Sequence, residues 1–421
     1  MFFSDSGSRR RSAAAAATTR TAPGHRRWLL ANRDFRRLWL VGLVAFAVRW
    51  LEMIAVGVFV YQHTESAFQV AMLTMLRMLP MALFGAFIGA WAERLERRSA
   101  LIVVLLSLLV TSAVLAALAF AGRLAVWHLA VASFLNGVAW AADNPVRRVM
   151  IGDVVGSEGM GAAMSIDVGA NNASRMFGPT IGGLLLAGAG IGGAFTVSVI
   201  CYVVALVAAC RVQYRNRHPG NAGDPVLARL REGLALVRRD RRLIGTLVVT
   251  VIYNVFGWPF TAMIPVIGQD SLLLGPGGIG VLASMEGIGA FCGAVAIALW
   301  AKPRHYTRLY VGGVIAYLVL IIAFAQIPLV ASAGTALLFT GLSNAGFSIM
   351  QATLVYLAAP SEMRSRIYGV LSVCIGVGPI GFLHLGLLAE WIGAPWAVTA
   401  SAVEGLLAMA LTHRWWRELR V

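Results

Sequence analysis

The chain has 421 residues, of which 59% are hydrophobic and 13% are charged, and its mean hydropathy is +0.76. A water-soluble globular chain does not need so apolar a composition, so the sequence predicts a polytopic membrane protein. The net charge of +16 does not indicate nucleic-acid binding, because the basic residues do not cluster on a polar folded domain. Motifs for a metal, a nucleotide or a catalytic triad are absent from the sequence, so we expect no metal, no cofactor and no enzyme.

Apolar runs of membrane length recur along the chain. A hydrocarbon core about 30 Å thick requires roughly 20 helical residues for one crossing. Twelve predicted spans lie near residues 38–62, 68–91, 99–121, 126–145, 159–188, 192–211, 243–268, 277–300, 306–327, 333–357, 366–389 and 394–413. The predicted organisation is a disordered basic cytoplasmic tail (1–37), a six-helix bundle (38–211), a cytoplasmic linker (212–242), a second six-helix bundle (243–413) and a cytoplasmic tail (414–421).

The distribution of Lys and Arg predicts the topology. With the N-terminus inside, 31 of the 35 basic residues lie on one side of the membrane and one, Arg123, lies on the other. The remaining three fall within spans. Because cytoplasmic loops retain Lys and Arg, we expect a multi-pass protein of the bacterial inner (plasma) membrane with both termini in the cytoplasm.

The two predicted bundles resemble each other. Gly178-Pro179 recurs 200 residues later as Gly378-Pro379, and Asn136-Gly137 has a counterpart in Asn344-Ala-Gly346. Repeats in this order indicate a parallel duplication with a central cavity between the halves. In the linker, apolar residues at 227, 230, 234 and 237 recur at helical spacing and predict an amphipathic helix on the inner membrane face.

A short charged loop separates the second and third spans. Carboxylates accept hydrogen bonds at helix starts, and arginines bind carboxylates or lipid phosphates. We interpret it as a gating loop; the alternative is that its arginines only mark the cytoplasmic side. Asp143, near the cytoplasmic end of the fourth span, is expected to pair with Arg94 or Arg147 and so lock the inner gate. The gating-loop candidates are Gly89, Glu93, Arg94, Arg97 and Arg98, with Asp143.

This loop resembles the signature Gly-x-x-x-Asp-Arg-x-Gly-Arg-Arg of the major facilitator superfamily, with Glu93 in place of Asp and Glu96 in place of the second Gly. The resemblance implies an all-α membrane protein with twelve transmembrane helices in two pseudo-symmetric six-helix bundles. It also implies that spans 1, 2, 5 and 8 line the cavity. The fifth span contains four residues that resemble the antiporter signature Gly-Pro-x-x-Gly-Gly, namely Gly178, Pro179, Gly182 and Gly183.

Looser patterns at 144–148, 161–167 and 230–239 resemble the enterobactin-exporter and macrolide-efflux branch of that superfamily. Ser133 stands in the fourth span where many drug/proton antiporters of other branches have an arginine. This difference leaves proton coupling to depend on other residues.

Ionisable side chains deep in a span are candidates for coupling, because a charge at the bilayer centre costs about 2.5 to 3.5 kcal/mol on insertion scales. Arg49 and Glu52 share a helix face and can pair, so Glu52 is either a structural partner or a proton acceptor. Arg77 lies at similar depth in the second span. Glu286 has no charged neighbour in the sequence, and we expect an unpaired carboxyl that is protonated at rest, suited to proton carriage or to a cationic substrate.

Two further groups complete the candidate site. Asp167, Asn171 and Arg175 follow one another at four-residue intervals and predict a polar strip on one helix face, either for function or for interhelical hydrogen bonds. The seventh and tenth spans supply polar and aromatic side chains suited to a large amphiphilic ligand, namely Tyr253, Asn254, Asn344 and Gln351.

The sequence therefore predicts a secondary active transporter, most simply a proton-coupled exporter of a drug-like or siderophore-like molecule that works by alternating access. The expected partners are a small-molecule substrate, protons or another coupling ion, and membrane lipids, with no nucleic acid and a monomeric chain. The alternatives are a metabolite importer or symporter of the same fold, and a non-transporting membrane receptor or assembly protein.

Overall fold

The computed structural model describes residue 29 and residues 31–92, 96–213, 226–360 and 363–416, and every regular element in these ranges is helical. A π-helical turn (Tyr253–Gly257) and a 3-10 turn (Trp258–Met263) join α6 to α7, and a second 3-10 turn (Pro303–His305) precedes α9. The α-helices are α1 (Arg33–Thr64), α2 (Ala67–Ala92), α3 (Arg97–Phe120), α4 (Val126–Cys210), α5 (Val226–Val237), α6 (Arg241–Ile252), α7 (Ile264–Asp270), α8 (Pro276–Trp300), α9 (Tyr306–Gln326), α10 (Val330–Ala358), α11 (Arg364–Ile375), α12 (Gly378–Ile392), α13 (Ala394–Leu411) and α14 (His413–Trp416).

Helix α4 contains two breaks. It runs for 85 residues, several times the length that one membrane crossing needs. The backbone leaves the helical conformation at Gly156 (φ 70°) and at Gly190 (φ 68°), in a region that residues with a side chain rarely adopt. Helix α4 therefore consists of three helical segments in succession, 126–155, 157–189 and 191–210.

Within the described ranges, nine helical stretches are long and apolar enough to cross a membrane. One of them, Gly159–Cys210, has 52 residues and contains the break at Gly190, so it is long enough for two crossings. Large apolar side chains such as Phe120 (72% exposed) and Trp391 (81% exposed) face outward, as lipid contact requires. The multi-pass helical architecture is confirmed, whereas the total of twelve spans and the domain boundaries stay predictions.

The first helix begins earlier than the apolar run that predicts it. The side chain of Asn32 accepts hydrogen bonds from the backbone N–H groups of Asp34 and Phe35 at 3.0 and 3.2 Å. Such a cap satisfies N–H groups that have no partner inside the helix. Helix α1 therefore starts at Arg33 rather than at residue 38.

The two halves pack in the same way. A Cβ atom built on Gly178 would lie 2.6 Å from the Cβ of Trp50 in α1, and one built on Gly378 would lie 3.4 Å from the ring of Trp258. The repeated Gly-Pro pair thus places each glycine against the tryptophan at the equivalent place in its own half. This repetition is what two pseudo-symmetric bundles require.

The buried apolar side chains show where the halves meet. We call the side that carries Arg97 and Arg366 the basic side, and the opposite side, where α1 and α12 end, the far side. The largest apolar cluster contains residues of both halves, and its first-half members, such as Ile54 and Phe195, lie toward the far side. Basic-side residues form separate clusters, around Met150 in the first half and around Leu371 in the second. The halves are therefore packed together mainly on the far side.

Candidate functional site

An ion pair joins the two halves near the middle of their helices. Arg175 of α4 pairs with Glu286 of α8, and only 4% of the Glu286 side chain is exposed. The orientation of the Asn344 amide that satisfies its neighbours points its oxygen at two guanidinium nitrogens of Arg175, 2.7 and 2.9 Å away. It points the amide nitrogen at the Tyr253 hydroxyl, 2.9 Å away. The expectation that Glu286 is unpaired is therefore wrong, because its partner lies 111 residues away in the sequence.

Glycines allow the two helices of this pair to approach closely. A Cβ on Gly287 would lie 2.5 Å from the carbonyl oxygen of Arg175, and one on Gly183 would lie 2.3 Å from that of Pro276. Side chains at these positions would separate the helices. The hydroxyls of Thr180 and Ser284 are also within hydrogen-bond distance, at 2.7 Å. These contacts bring Arg175 within reach of Glu286.

The remaining residues of the Gly-Pro motif serve the same packing. A Cβ on Gly182 would lie 2.3 Å from the carbonyl oxygen of Leu51, and the carbonyl oxygen of Pro179 would lie 2.5 Å from a Cβ on Gly280. The motif therefore fits between α1 and α8. Its assignment as an antiporter signature stays a prediction.

Glu52 belongs to a second polar cluster, inside the first half. Its side chain is 3% exposed, and it accepts hydrogen bonds from the Ser112 hydroxyl at 3.2 Å and from the Asn136 amide at 3.4 Å. Arg49 instead places its guanidinium carbon 3.5 Å from the centre of the Trp140 ring, a cation–π contact. The predicted Arg49–Glu52 ion pair is therefore wrong, since each side chain has a different partner.

A small cavity of about 30 Å³ lies beside Glu52, with room for roughly one or two water molecules. It is formed by α1, α2, α3 and α4, so it lies within the first half rather than between the halves. Its polar lining consists of Glu52, Thr74, Arg77, Ser133 and Asn136, and the rest of its lining is apolar. The cavity thus combines one carboxylate and one guanidinium with an apolar wall.

A buried charge cluster lies in the first half toward the basic side. Arg147 is fully buried and pairs with Asp167 and, at 3.5 Å, with Asp143, while Arg148 lies 3.7 Å from Asp167. A Cβ on Gly42 would lie 2.3 Å from Nη1 of Arg147, so α1 provides the space for this side chain. Asp143 does pair with Arg147, but both residues lie in the first segment of α4, and the Arg147–Asp167 pair links that segment to the second; neither pair crosses between the halves.

The predicted polar strip on α4 separates into three contacts. Asp167 pairs with Arg147, Asn171 accepts a hydrogen bond from the indole of Trp50 at 3.5 Å, and Arg175 pairs with Glu286. The strip is therefore not one site.

The polar residues predicted in the second half do not form one cluster either. Tyr253 joins the Arg175 cluster, at the start of a π-helical turn, a feature frequent at functional sites. Asn254 donates to the carbonyl oxygen of Thr250 at 2.8 Å, and Gln351 donates to the hydroxyl of the same threonine at 2.9 Å. The Gln351–Thr250 bond joins α10 to α6, whereas the Asn254–Thr250 bond lies within one helical stretch.

The gating loop is described only in part. Arg97 pairs with Asp153 at 2.7 Å, and Arg98 donates to the carbonyl oxygen of Cys210 at 2.6 Å. Both contacts lie within the first half. Gly89 lies in α2, and Glu93 and Arg94 lie outside the described residues, so the gating role stays a prediction.

Contacts that the sequence does not reveal connect the halves on the far side. The Tyr61 hydroxyl at the end of α1 donates to Asp270 at the end of α7. The Ser66 hydroxyl donates to Glu390 at the end of α12, at 3.2 Å. These hydrogen bonds join the same ends that share the apolar core, so the far side is closed.

Residues 28–418 match the family described as transmembrane secretion effector. The chain belongs to this family of the major facilitator superfamily. It is similar to macrolide efflux protein A of Streptococcus pyogenes, with 21% identity over 85% of this chain and 90% of the relative. It is also similar to the staphyloferrin A transporter of Staphylococcus aureus (strain NCTC 8325 / PS 47), with 21% identity over 87% and 91%.

Solved structures show the same fold as this facilitator. A bacterial homologue of the human lysosomal transporter Spinster, in an inward-facing and unoccupied conformation, superimposes with a TM-score of 0.72 at 14% identity, covering 94% of this chain and 98% of that one. The POT family transporter PepTSo superimposes with a TM-score of 0.75 at 14% identity, covering 92% of this chain and 98% of that one. The predictions of the superfamily, of a membrane transporter for a small molecule and of a protein that is not an enzyme are confirmed.

Proposed function

We propose that this facilitator is a proton-coupled exporter of a drug-like or siderophore-like molecule in the bacterial inner membrane, with its basic side in the cytoplasm. The excess of Lys and Arg on that side supports the orientation. Relatives named for macrolide efflux and for staphyloferrin A transport support export of a small organic cargo.

The observation that carries the coupling assignment is the Arg175–Glu286 ion pair between the halves. A buried carboxylate needs its cation, because an uncompensated charge in a low-dielectric interior is strongly destabilising. A proton bound to Glu286 removes the charge and with it the attraction to Arg175. Protonation at Glu286 therefore changes the strength of a contact that joins the two halves.

This contact fits an alternating-access cycle. With the far side closed by the Tyr61–Asp270 and Ser66–Glu390 hydrogen bonds, cargo enters from the cytoplasmic side. The halves then rock to open the far side, where cargo leaves and Glu286 takes up a proton. Return to the cytoplasm-facing state releases that proton to the cytoplasm and restores the pair with Arg175.

Transport into proteoliposomes under an imposed pH gradient tests the proposal, with a labelled macrolide and labelled staphyloferrin A as probes. We expect Glu286→Gln to abolish pH-dependent transport, with Glu52→Gln as the test of the second buried carboxylate. Glu404→Gln is the control, because Glu404 pairs with His384 at 3.3 Å away from both clusters. Unchanged pH-driven transport in both Glu286→Gln and Glu52→Gln would discard the carboxylate assignment.

The direction of flux distinguishes the alternatives. Accumulation of the probe by inside-out vesicles supports export, whereas accumulation by right-side-out vesicles identifies an importer or symporter. Binding of the probe with no flux in either orientation identifies a receptor.

A further inference from the structure

Arg49 lies near the middle of α1, at the depth where a charge in a membrane is most costly. Among the residues that the structure describes, it has no partner for an ion pair or a hydrogen bond. The charged side chains that act on it most strongly are Arg77 and Arg175, and both are cations. The charge of Arg49 is therefore not balanced by a carboxylate of the described chain.

The two neighbouring cations each have a carboxylate. Arg175 pairs with Glu286. Arg77 attracts Glu52 electrostatically, and both side chains line the small cavity in the first half. Three guanidinium groups thus accompany two carboxylates near the middle of the helices. The described part of this region has an excess of one positive charge, and that charge is on Arg49.

Aromatic rings contact Arg49 without neutralising it. Its guanidinium carbon lies 3.5 Å from the centre of the Trp140 ring and 5.8 Å from that of the Trp50 ring. Cation–π contacts offset only part of the cost of a charge in a membrane. A ring occupies a face of the guanidinium, whereas a carboxylate binds the N–H groups along its edge. These contacts therefore leave room for an anion.

The N–H groups of Arg49 are accessible. Arg49 is only partly buried, and in the described structure none of its nitrogens is enclosed, unlike Nε of Arg175. The ring of Trp50 lies 5.3 Å from the guanidinium carbon of Arg175, which pairs with Glu286 of the second half. Arg49 therefore lies beside the contact between the halves. Because apolar contacts close the far side, the remaining approach to Arg49 is from the basic side.

We propose that Arg49 binds a carboxylate of an anionic organic cargo, with the apolar body of the cargo against Trp50. A carboxylate at this place brings the negative charges to three, equal to the number of guanidinium groups. Arg77 and Arg175 act in the same direction, since both attract an anion that approaches Arg49. This inference rests on the proposed function only in taking the ligand as cargo, and it narrows that cargo to organic anions.

Three fluorescent probes with the same dansyl group and similar alkyl chains test the proposal. At neutral pH, N-dansyl-6-aminohexanoate is an anion, N-hexyldansylamide is neutral and dansylcadaverine is a cation. Their binding to the purified full-length protein in phosphatidylcholine nanodiscs is measured by dansyl emission, with empty nanodiscs as the blank. We expect the anion to bind at least about tenfold more tightly than either other probe, since hydrogen bonds to a charged group add roughly that factor.

Variants assign the preference to Arg49. Arg49→Gln is expected to abolish the preference for the anion, whereas Arg49→Lys, which keeps the positive charge, is expected to retain it. Ratios of affinities within one variant do not depend on how much of the protein is folded. Arg123→Gln is the charge-matched control and should keep the full preference, because Arg123 is exposed in the turn between α3 and α4 on the far side.

The proposal is overturned if the anion binds the unmodified protein no more tightly than the neutral probe or the cation. A preference for the anion that survives Arg49→Gln overturns it as well. These measurements use no gradient. They stand or fall separately from the flux experiments on Glu286→Gln, so failure of the anion site and failure of proton-coupled export are distinguishable.

Discussion

Gly57 of α1 and Pro265 of α7 touch across the far side of the molecule: a Cβ built on Gly57 would lie 3.9 Å from the Cβ of Pro265. Each residue belongs to a different half. The contact lies close to the Tyr61–Asp270 hydrogen bond. The distance between Gly57 and Pro265 therefore reports whether the far side is closed.

Cysteines at these two positions should form a disulfide bond that holds the far side closed. The separation is near the average Cβ–Cβ distance of disulfides, about 3.8 Å. In a chain whose cysteines at 201, 210, 292 and 374 are replaced by alanine, Gly57→Cys with Pro265→Cys should stop transport on oxidation and regain it on reduction. Each single cysteine variant is the control. Full transport by a protein shown by mass spectrometry to be cross-linked would show that transport does not require the far side to open.

The Arg175–Glu286 pair should appear as energetic coupling between the two residues. Arg175→Gln leaves a buried carboxylate without its cation, which costs about 3 to 5 kcal/mol in comparable sites. The double variant with Glu286→Gln removes both charges. Its loss in the free energy of unfolding should be at least about 1 kcal/mol smaller than the summed losses of the two single variants. Thermal unfolding in detergent measures this difference. The loss of stability in Arg175→Gln should be smaller at low pH, where a proton can replace the missing cation. If the losses of the two single variants add up to that of the double variant at every pH, the two residues do not form a stabilising pair.

The buried cluster around Arg147 should depend more on Asp167 than on Asp143. Only 1% of the Asp167 side chain is exposed, against 7% for Asp143, whose contact is also longer at 3.5 Å. We expect Asp167→Asn to lower the free energy of unfolding by about 3 kcal/mol or more and Asp143→Asn by less.

The matched control for this comparison is Asp240→Asn. Asp240 caps α6 by accepting the backbone N–H of Arg242 at 2.8 Å, and asparagine caps a helix about as well as aspartate. The same chemical change should therefore have little effect there. If Asp167→Asn is no more destabilising than Asp240→Asn, the cluster does not stabilise the fold as proposed.

The sequence predicted those features that depend on local pattern. Runs of apolar residues predicted the spans. The repeated Gly-Pro pair predicted two similar halves, because small residues are needed where helices pack closely. The resemblance in the charged loop and in the Gly178 motif was sufficient for the superfamily. Each of these signals can be recognised along the sequence without knowing which residues meet in space.

Partners across the fold could not be predicted in the same way. Glu286 had no charged neighbour in the sequence, because Arg175 reaches it only through the glycine contacts between α4 and α8. Arg147 was expected only as one of two possible partners of Asp143 at the inner gate, yet it is fully buried beneath Gly42 and also pairs with Asp167. Ser112 gave no signal, since a single serine in an apolar span is common and its bond to Glu52 depends on the packing of α3 against α1.

Arg147 fastens three helical segments into one block, because its guanidinium lies under α1 while its two aspartates belong to successive segments of α4. We expect this block to move as a rigid unit, because bending it would separate buried ion pairs, which is strongly destabilising. In the proposed cycle, opening the far side would separate the apolar contacts between the halves and expose them to water, at a cost of roughly 25 cal/mol for every Å² exposed. We therefore expect the free energy of opening the far side to depend on the apolar contacts between the halves and not on the interior of either half.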